Sequence, residues 1–167
     1  MESARTMSEL HYRLCKETPE DKPFLFTLYA STRELEMALS GWGSEQKDLF
    51  LRSQFQLQYI QYHRNYSKPS FNIIYSYGEK AGRLYLNRTR DEVRIIDISL
   101  LPAYRGKGLG TKILRDVIAE GRTAGLPVKL TVFLNNPAQR LYKRLGFQTT
   151  GDNGAYLSME CPTAVLK

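Results

Sequence analysis

The alternation of hydrophobic and polar positions predicts a chain in which strands and helices are interleaved. The first part offers a short strand at His11–Cys15, one or two helices within Pro19–Leu39, and a long helix from a capping Ser44 to Tyr66. Apolar residues on the long helix recur at steps of three and four, which is the spacing of one helical face. These residues are Leu51, Phe55, Tyr59, Tyr62 and Tyr66.

The middle of the chain has the pattern of strands joined by tight turns. Ser70–Tyr77 alternates as a strand does, Gly78–Gly82 turns the chain, and Arg83–Asn87 returns it before a further strand at 92–100. Strands that follow one another so closely are most simply antiparallel.

The last part alternates helices with strands. A helix from Gly110 precedes a buried strand at Val128–Phe133, and Asn136 with Pro137 is a good cap and first turn for a second helix. Gly146 can end that helix in the left-handed conformation, and the loop 151–154 predicts a hairpin between two last strands. Because strands linked by helices imply some parallel pairing, we expect an α/β (α+β) fold with a mixed, mostly antiparallel sheet and helices on both faces.

Length and composition favour a single domain over residues 1–167, since 42% of the residues are hydrophobic. No apolar run reaches membrane-spanning length, and Met1–Glu9 is polar, so we expect neither a membrane partner nor a signal peptide. Cys15 and Cys161 form no metal spacing, and no metal is expected. They predict reduced thiols in a cytoplasmic protein, with a disulfide between the two chain ends as the alternative.

The net charge of +7 would suit nucleic acid, but acidic residues are interleaved throughout and no long Lys/Arg run exists. A polyanionic small ligand accounts for part of the excess, so nucleic acid is not an expected partner. The composition leaves open whether the protein is a monomer or a homodimer.

A glycine-rich turn joins the strand at 92–100 to the helix that follows. Three glycines and two cations stand in six consecutive residues: Arg105, Gly106, Lys107, Gly108, Leu109 and Gly110. Glycine permits a tight turn with uncovered backbone N–H groups, and the helix adds the positive end of its dipole. The pattern predicts a binding site for a phosphate or pyrophosphate, with a plain solvated turn as the alternative.

Two common phosphate motifs do not fit this turn. The dinucleotide fingerprint needs a third glycine where Thr111 stands. The P-loop needs Gly-Lys-Ser/Thr, whereas the chain has Gly-Thr-Lys at 110–112. The spacing that remains is Arg-x-x-Gly-x-Gly.

That spacing, preceded by Leu-Leu-Pro at 100–102, resembles the acyl-CoA-binding motif of the GNAT family of N-acetyltransferases. The segment 135–147 is similar to a second motif of the family, N-x-x-A-x-x-L-Y-x-x-x-G-F. The matching residues are Asn135, Ala138, Leu141, Tyr142, Gly146 and Phe147. The clear resemblance covers about residues 92–150.

The resemblance implies acetyl-CoA as co-substrate. It implies that 105–110 bind its pyrophosphate, mostly through backbone N–H groups, and that two strands splay apart to form a notch. The pantetheine arm would pair there with exposed backbone between Ile98 and Leu100. Asn135 would hold the same arm or a neighbouring backbone group, with a plain strand-end or capping role as the alternative.

The resemblance also implies that Tyr142 protonates the departing sulfur, although its helix periodicity fits a core tyrosine equally well. Asp97, on the strand beside the notch, is the first candidate for the base, with a paired structural acid as the alternative. Glu92 is a second candidate. His11 and His63 are isolated, and structural or surface roles suit them better than catalysis.

The function implied is acetyl-CoA-dependent N-acetylation of a primary amine on a small molecule or protein, by direct attack in a ternary complex. Acceptor recognition is expected from the loop 41–43, the face of the helix 44–66 and the hairpin 151–154. The alternatives are a non-catalytic acyl-CoA-binding or sensory module on the same fold and, less well supported, a module that grips nucleic-acid phosphate.

Overall fold

The computed structural model describes residues 11–163, in which seven strands form one sheet in the order β1-β2-β3-β4-β5-β7-β6. The strands are β1 Tyr12–Lys16, β2 Pro69–Ser76, β3 Glu79–Arg88, β4 Val93–Leu100, β5 Val128–Phe133, β6 Gln148–Asp152 and β7 Tyr156–Cys161. The helices are α1 Lys22–Thr32, α2 Glu34–Leu39, α3 Ser44–Arg64, α4 Leu109–Ala124 and α5 Gln139–Arg144, with 3-10 turns at Pro19–Asp21 and Pro102–Tyr104. The predicted mixed, mostly antiparallel sheet is confirmed.

The turn between β2 and β3 is shorter than the sequence predicts. Tyr77 and Gly78 both have positive φ, 50° and 81°, which is the geometry of a two-residue hairpin turn. The predicted turn over Gly78–Gly82 is therefore wrong, and residues 79–82 belong to β3. Gly82 is required for a different reason, because a Cβ there would overlap the carbonyl oxygen of Ser99 on β4.

Two predicted helix caps are also displaced. Ser44 is the first residue of α3, and Gly43 occupies the capping position. Asn136 accepts a hydrogen bond from the Ala138 N–H at 2.9 Å, which closes a turn before α5 instead of capping the helix itself. The predicted left-handed Gly146 is confirmed, with φ of 105°.

The sheet opens between β4 and β5. These strands run parallel and pair only from Val93 to Ile95 against Val128 to Leu130. A bulge follows at once, because Tyr85 pairs with Asp97 and Leu86 with Ile95, which leaves Ile96 as an extra residue. Both strands then continue without pairing to each other, and this opening is the notch that the resemblance implied.

Two apolar clusters lie on opposite faces of the sheet. The larger cluster packs α4 and α5 against the sheet, and its β5 members are Val128, Leu130 and Val132. The smaller one packs α1 and α3 on β2 at Ile73. We call these sides the α4 face and the α3 face. Because side chains alternate along a strand, Thr131 and Phe133 of β5 lie on the α3 face.

Cys15 and Cys161 are both free, and the strands that carry them, β1 and β7, are separated by four others. Strands spaced at about 4.8 Å put them too far apart for a disulfide, so that alternative is wrong. Across residues 11–163, no helix is long and apolar enough to cross a membrane, and no His/Cys/Asp/Glu group suited to a metal is found. Met1–Glu9 lies outside the described residues.

Candidate active site

The glycine-rich loop is held in place from both sides. At the end of β4, the Leu101 N–H donates to the Ala81 carbonyl at 2.8 Å. The chain then passes through the 3-10 turn and reaches α4 through Gly106 and Gly108, whose φ angles are 71° and 88°. Only glycine adopts such left-handed conformations without strain, so these two residues set the path of the loop.

The same path leaves a row of backbone donors free. Within the described chain, the N–H groups of residues 106–110 donate to no protein acceptor, and the first helical bond of α4 runs from Lys112 N to Gly108 O at 3.0 Å. These residues lead into the N-terminus of α4, a 16-residue helix, where the positive end of the helix dipole lies. Such an array is suited to an anion with several oxygens, such as a pyrophosphate.

Arg105 acts differently from the free cation that the motif suggested. Its Nε donates to the Leu100 carbonyl at 2.8 Å and its Nη2 to Ser31 Oγ at 3.2 Å. The side chain therefore ties the loop to β4 and α1, and it already occupies one lone pair of the Leu100 carbonyl. Lys107 is exposed and forms no ion pair with residues 11–163.

The notch lies directly beside this loop. Its β4 side is the edge from Asp97 to Leu100, which has no strand partner towards β5 among the described residues. Its β5 side ends at Phe133, and the exposed Asn135 follows in the next turn. Within residues 11–163 the Asn135 side chain forms no hydrogen bond, so it makes no capping contact there, whereas its neighbour Asn136 closes the turn before α5.

Tyr142 belongs to the apolar cluster on the α4 face of the sheet. It lies on α5, is 8% exposed, and its ring contacts Phe147 with centroids 5.8 Å apart. In the described chain its hydroxyl forms no hydrogen bond. Burial, and then the negative charge of Asp97, raise the pKa of Tyr142 to about 12. The phenol therefore stays protonated at neutral pH and has a free donor.

Asp97 is engaged in an ion pair on the α3 face. Its Oδ2 accepts from Arg83 Nε at 2.5 Å and from Ser99 Oγ at 3.0 Å. Arg83 is 3% exposed and also donates through Nη2 to Gln58 Oε1 at 2.8 Å. Asp97 is therefore paired as the structural alternative predicts. Its carboxylate nevertheless borders the notch.

The other titratable candidates lie elsewhere. Glu92 precedes β4 at the end remote from the notch, where its carboxylate pairs with Arg94 and Lys129. His63 Nε2 lies 2.8 Å from Glu17 Oε2, and its ring stacks on Tyr59 at 4.0 Å. These contacts give both residues structural roles.

A cavity of about 530 Å³ opens between the helices of the α3 face and the start of the loop. It is lined from α1 by residues that include Ser31, the partner of Arg105, and from the end of β4 by Leu101 and Pro102. The predicted acceptor loop is partly packed away, since the ring of Trp42 contacts Phe50 with centroids 5.1 Å apart.

Sequence reasoning missed three residues at the notch: Arg83, Phe133 and Tyr156. Arg83 stood in a predicted strand between apolar neighbours, which is a signal for a buried, paired cation. Phe133 and Tyr156 pair across β5 and β7, and their rings stack at 4.4 Å. That pairing depends on strand register, for which the sequence offers no direct signal.

Comparison with known proteins bears on this geometry. The model of the acetyltransferase (GNAT) family matches residues 29–147. Among solved structures, PaiA N-acetyltransferase of Thermoplasma acidophilum, in complex with coenzyme A, superposes with a TM-score of 0.67 at 17% identity. The match covers 92% of this chain and 99% of that one, and it shows a shared fold.

Two curated relatives are similar over shorter stretches. A Bacillus subtilis (strain 168) protein, named as a candidate [ribosomal protein bS18]-alanine N-acetyltransferase, is 31% identical over 97 residues, which are 54% of this chain and 62% of the relative. Thialysine N-epsilon-acetyltransferase of Mus musculus is 36% identical over 77 residues, 45% of either chain. The match spans less than two thirds of each relative. With the family model matched over most of its length and both sequence motifs set around one notch, this chain belongs to the GNAT family of acetyltransferases.

Proposed function

We propose that the protein is an acetyl-CoA-dependent N-acetyltransferase that transfers the acetyl group to a primary amine by direct attack in a ternary complex. The observation that carries the proposal is the row of free N–H groups at 106–110 beside the opening between β4 and β5. The free N–H groups suit a pyrophosphate, and the unpaired strand edge suits an amide-containing arm. Both groups occur in one ligand, acetyl-CoA.

The backbone and the side chains of the loop 105–110 contribute to binding in different ways. The N–H groups of residues 106–110 bind the pyrophosphate, Lys107 adds an exposed cation, and Arg105 braces the loop against β4. The pantetheine arm lies along the edge at Ile98–Leu100, and Asn135 holds it from the β5 side. The Leu100 carbonyl keeps one lone pair for this purpose, since Arg105 uses the other.

The chemistry follows from the two faces of the notch. The neutral amine nitrogen attacks the thioester carbonyl carbon from the α3 face, the C–S bond breaks, and the sulfur leaves towards Tyr142. A thiol pKa of about 8.5 lies well below the pKa of about 12 for Tyr142, so complete proton transfer from the phenol is uphill. Tyr142 therefore acts mainly by donating a hydrogen bond to the developing thiolate.

Asp97 is proposed to receive the amine. Its Oδ1 accepts only a 3.2 Å contact from Ser99, so it can take a hydrogen bond from the incoming nitrogen. We also propose that Asp97 takes the proton that the amine nitrogen releases on attack. Because Arg83 already neutralises the Asp97 carboxylate, Asp97 contributes more by positioning the amine than by acting as a base.

The relatives support amine acetylation and leave the acceptor open. The names of the two relatives above and of streptothricin acetyltransferase of Streptomyces lavendulae, 32% identical over 83 residues, indicate three chemically different acceptors. Cys15 and Cys161 are free thiols, which supports our proposal of a reducing, cytoplasmic setting.

The test is acetyl transfer from acetyl-CoA to a panel of primary amines, followed by release of the free CoA thiol and by the product mass. The proposal expects thiol release that depends on the amine and equals product formation. Tight binding of acetyl-CoA with no amine-dependent thiol release across a broad panel would favour the sensory-module alternative. That alternative also expects Tyr142→Phe to change nothing.

A further inference from the structure

Arg83 is an almost completely buried cation with unused hydrogen-bond donors. It is 3% exposed, and its guanidinium carbon lies 5.5 Å from the ring centroid of Tyr62 and 5.0 Å from that of Tyr85. A guanidinium has five N–H donors, of which Nε donates to Asp97 and Nη2 donates to Gln58. Nη1 forms no hydrogen bond with residues 11–163. Two donors on Nη1 and one on Nη2 are therefore unused.

The unused donors are accessible from outside the protein. In the part of the chain that the structure describes, every buried side-chain nitrogen or oxygen has a hydrogen-bond partner, so the unpaired Nη1 must be open to solvent. The side chain of Asp97, in direct contact with this guanidinium at 2.5 Å, is 21% exposed where the β4 edge has no partner in β5. One ion pair at the notch therefore still offers a guanidinium donor and a carboxylate acceptor.

The proposed proton transfer would change the charge balance of this pair. In the resting protein the Asp97 carboxylate neutralises Arg83. Once Asp97 has taken the proton of the attacking amine, the buried guanidinium has no anion beside it, since no other carboxylate of residues 11–163 forms an ion pair with Arg83. A buried charge that has lost its partner is strongly unfavourable. A carboxylate on the acceptor, next to the reacting amine, would supply the missing negative charge.

An amino acid carries both groups that this ion pair can bind. Its amine can donate to Oδ1 of Asp97, which accepts only a 3.2 Å contact from Ser99 Oγ. Its carboxylate can accept from Nη1 of Arg83 in a charge-assisted hydrogen bond. The amine and the carboxylate are neighbours in an amino acid, as Asp97 and Arg83 are in the protein, so one small molecule can reach both side chains. A zwitterion also has no net charge, which suits a pair whose own charges cancel.

We infer that the acceptor is a free amino acid, whose carboxylate binds Arg83 while its α-amine is acetylated beside Asp97. The amine nitrogen attacks the thioester carbonyl carbon, the C–S bond breaks, the amine proton passes to Asp97, and CoA leaves as a thiolate next to the Tyr142 hydroxyl. The products are an N-acetylamino acid and CoA. This inference rests on the proposed acetyltransferase function and adds the class of acceptor.

The common L-amino acids and their α-carboxamides are the matched acceptors that test the inference. Each amide keeps the side chain and the carbonyl group but lacks the negative charge. The amine of the amide is also less basic, so an enzyme indifferent to the carboxylate would acetylate the amide faster. We expect at least one amino acid to be acetylated on its α-nitrogen, with kcat/KM about tenfold or more above that of its amide.

The outcomes distinguish this inference from the proposed function. If the amides are acetylated as well as the acids, or if only simple amines or side-chain amines accept the acetyl group, the amino-acid inference is wrong and the acetyltransferase proposal stands. If acetyl-CoA binds and no amine of any class releases thiol, both the inference and the proposed function fail.

A charge change at Gln58 tests the contribution of Arg83. In Gln58→Glu, a carboxylate would stand where the Gln58 amide oxygen now accepts from Nη2, and it would compete with the acceptor for the guanidinium. We expect KM for the preferred amino acid to rise about fivefold or more, while the Kd for acetyl-CoA stays unchanged. Gln56→Glu makes the same change at an exposed position of α3 and should alter neither constant.

Arg83→Lys is the second variant, because it keeps the positive charge and removes the planar set of donors. It should reduce the preference for the acid over the amide by about fivefold or more. Thermal unfolding shows whether each variant is folded. If the folded Gln58→Glu and Arg83→Lys proteins both keep the full preference for the acid, Arg83 is not the partner of the carboxylate and the inference is overturned.

Discussion

At the scale of single residues, the notch is bordered by an ion pair between the buried Arg83 and the half-buried Asp97. Asp97 contributes its negative charge to Tyr142 on one side of the sheet and to Tyr62 on the other. Arg83 forms a salt bridge with the Asp97 carboxylate, and only 4% of the Arg83 side chain is exposed. Burial is the first cause of the raised pKa of both phenols, and the charge of Asp97 adds to it.

Removing the Tyr142 hydroxyl tests its role directly. Tyr142→Phe should lower kcat by about tenfold, a modest loss because a thiolate leaves fairly well unaided. The Kd for acetyl-CoA should stay within about twofold, since the ring is kept. Tyr12→Phe is the control, because it removes a hydroxyl that bonds Asp116 at 2.7 Å away from the notch. Equal kcat for wild type and Tyr142→Phe would refute the role.

The pH dependence follows from the same residue. Its ordinary pKa of 10.0 is raised to about 12 in the folded protein, so Tyr142 remains a donor throughout the range from neutral to pH 10. We expect kcat to show no falling limb in that range. Because the folded pKa exceeds the unfolded one, stability linked to Tyr142 is intact below pH 10 and is lost as the pH rises through about 12. A falling limb below pH 10 that Tyr142→Phe abolishes would contradict this account.

At the scale of elements, the glycine-rich loop and the bulge in β4 make different contributions to the candidate site. The loop presents donors because two glycines take left-handed conformations at the start of α4. The bulge at Ile96 ends the pairing of β4 with β5 and re-aims the strand away from it. In the site that we propose, the loop binds the pyrophosphate and the opening beside the bulge receives the pantetheine arm, so both elements are needed.

Alanine variants of two glycines with the same backbone conformation distinguish an effect on ligand binding from an effect on stability. Gly106 and Gly125 both have φ of 71°, and a Cβ on either would meet nothing within 4 Å. Alanine at each position should therefore cost a similar amount of stability, about 1 kcal/mol. Gly106→Ala should also weaken acetyl-CoA binding by about tenfold or more, because its methyl group stands where the ligand approaches the N–H groups. Calorimetric titration of both variants measures this, and equal affinities would refute the loop assignment.

The Arg83–Asp97 pair joins β3 to β4 and should matter for stability. Arg83→Met leaves a carboxylate without its buried partner and should cost about 3 kcal/mol in the free energy of unfolding. The double variant Arg83→Met/Asp97→Leu should recover part of that loss. Arg52→Met breaks a surface pair whose side chains are 62% and 52% exposed, and it should cost under about 1 kcal/mol. Denaturant unfolding gives all three values, and a small loss for Arg83→Met would show that the pair is not a structural anchor.

At the scale of the whole molecule, the sheet separates two groups of side chains that approach each other only at the notch. The loop, α5 and Tyr142 lie with the α4 face, and Tyr62, Arg83 and the stacked pair lie with the α3 face. We propose that the thioester and the amine meet at the notch, which connects these two sides of the sheet. This arrangement fits the direct attack that we propose.

The sequence predicted the parts of this arrangement that depend on local rules. Glycines in a loop and alternation in a strand are written in neighbouring residues, so the loop 105–110 and the strand at Val128–Phe133 were found from the sequence. The turn after Tyr77 was missed because a tyrosine takes the left-handed conformation usually given to glycine or asparagine. The Phe133–Tyr156 pair depends on the register of two strands that are distant in sequence, which no local pattern reveals.

The central claim is that this notch and loop bind acetyl-CoA. Calorimetric titration of the wild-type protein with acetyl-CoA, with adenosine 3′,5′-bisphosphate as the comparison ligand, tests it most directly. The account predicts one-to-one binding of acetyl-CoA, with weaker binding of the comparison ligand, which lacks both the pyrophosphate and the arm. Absence of binding, or equal affinity for the two ligands, would contradict it.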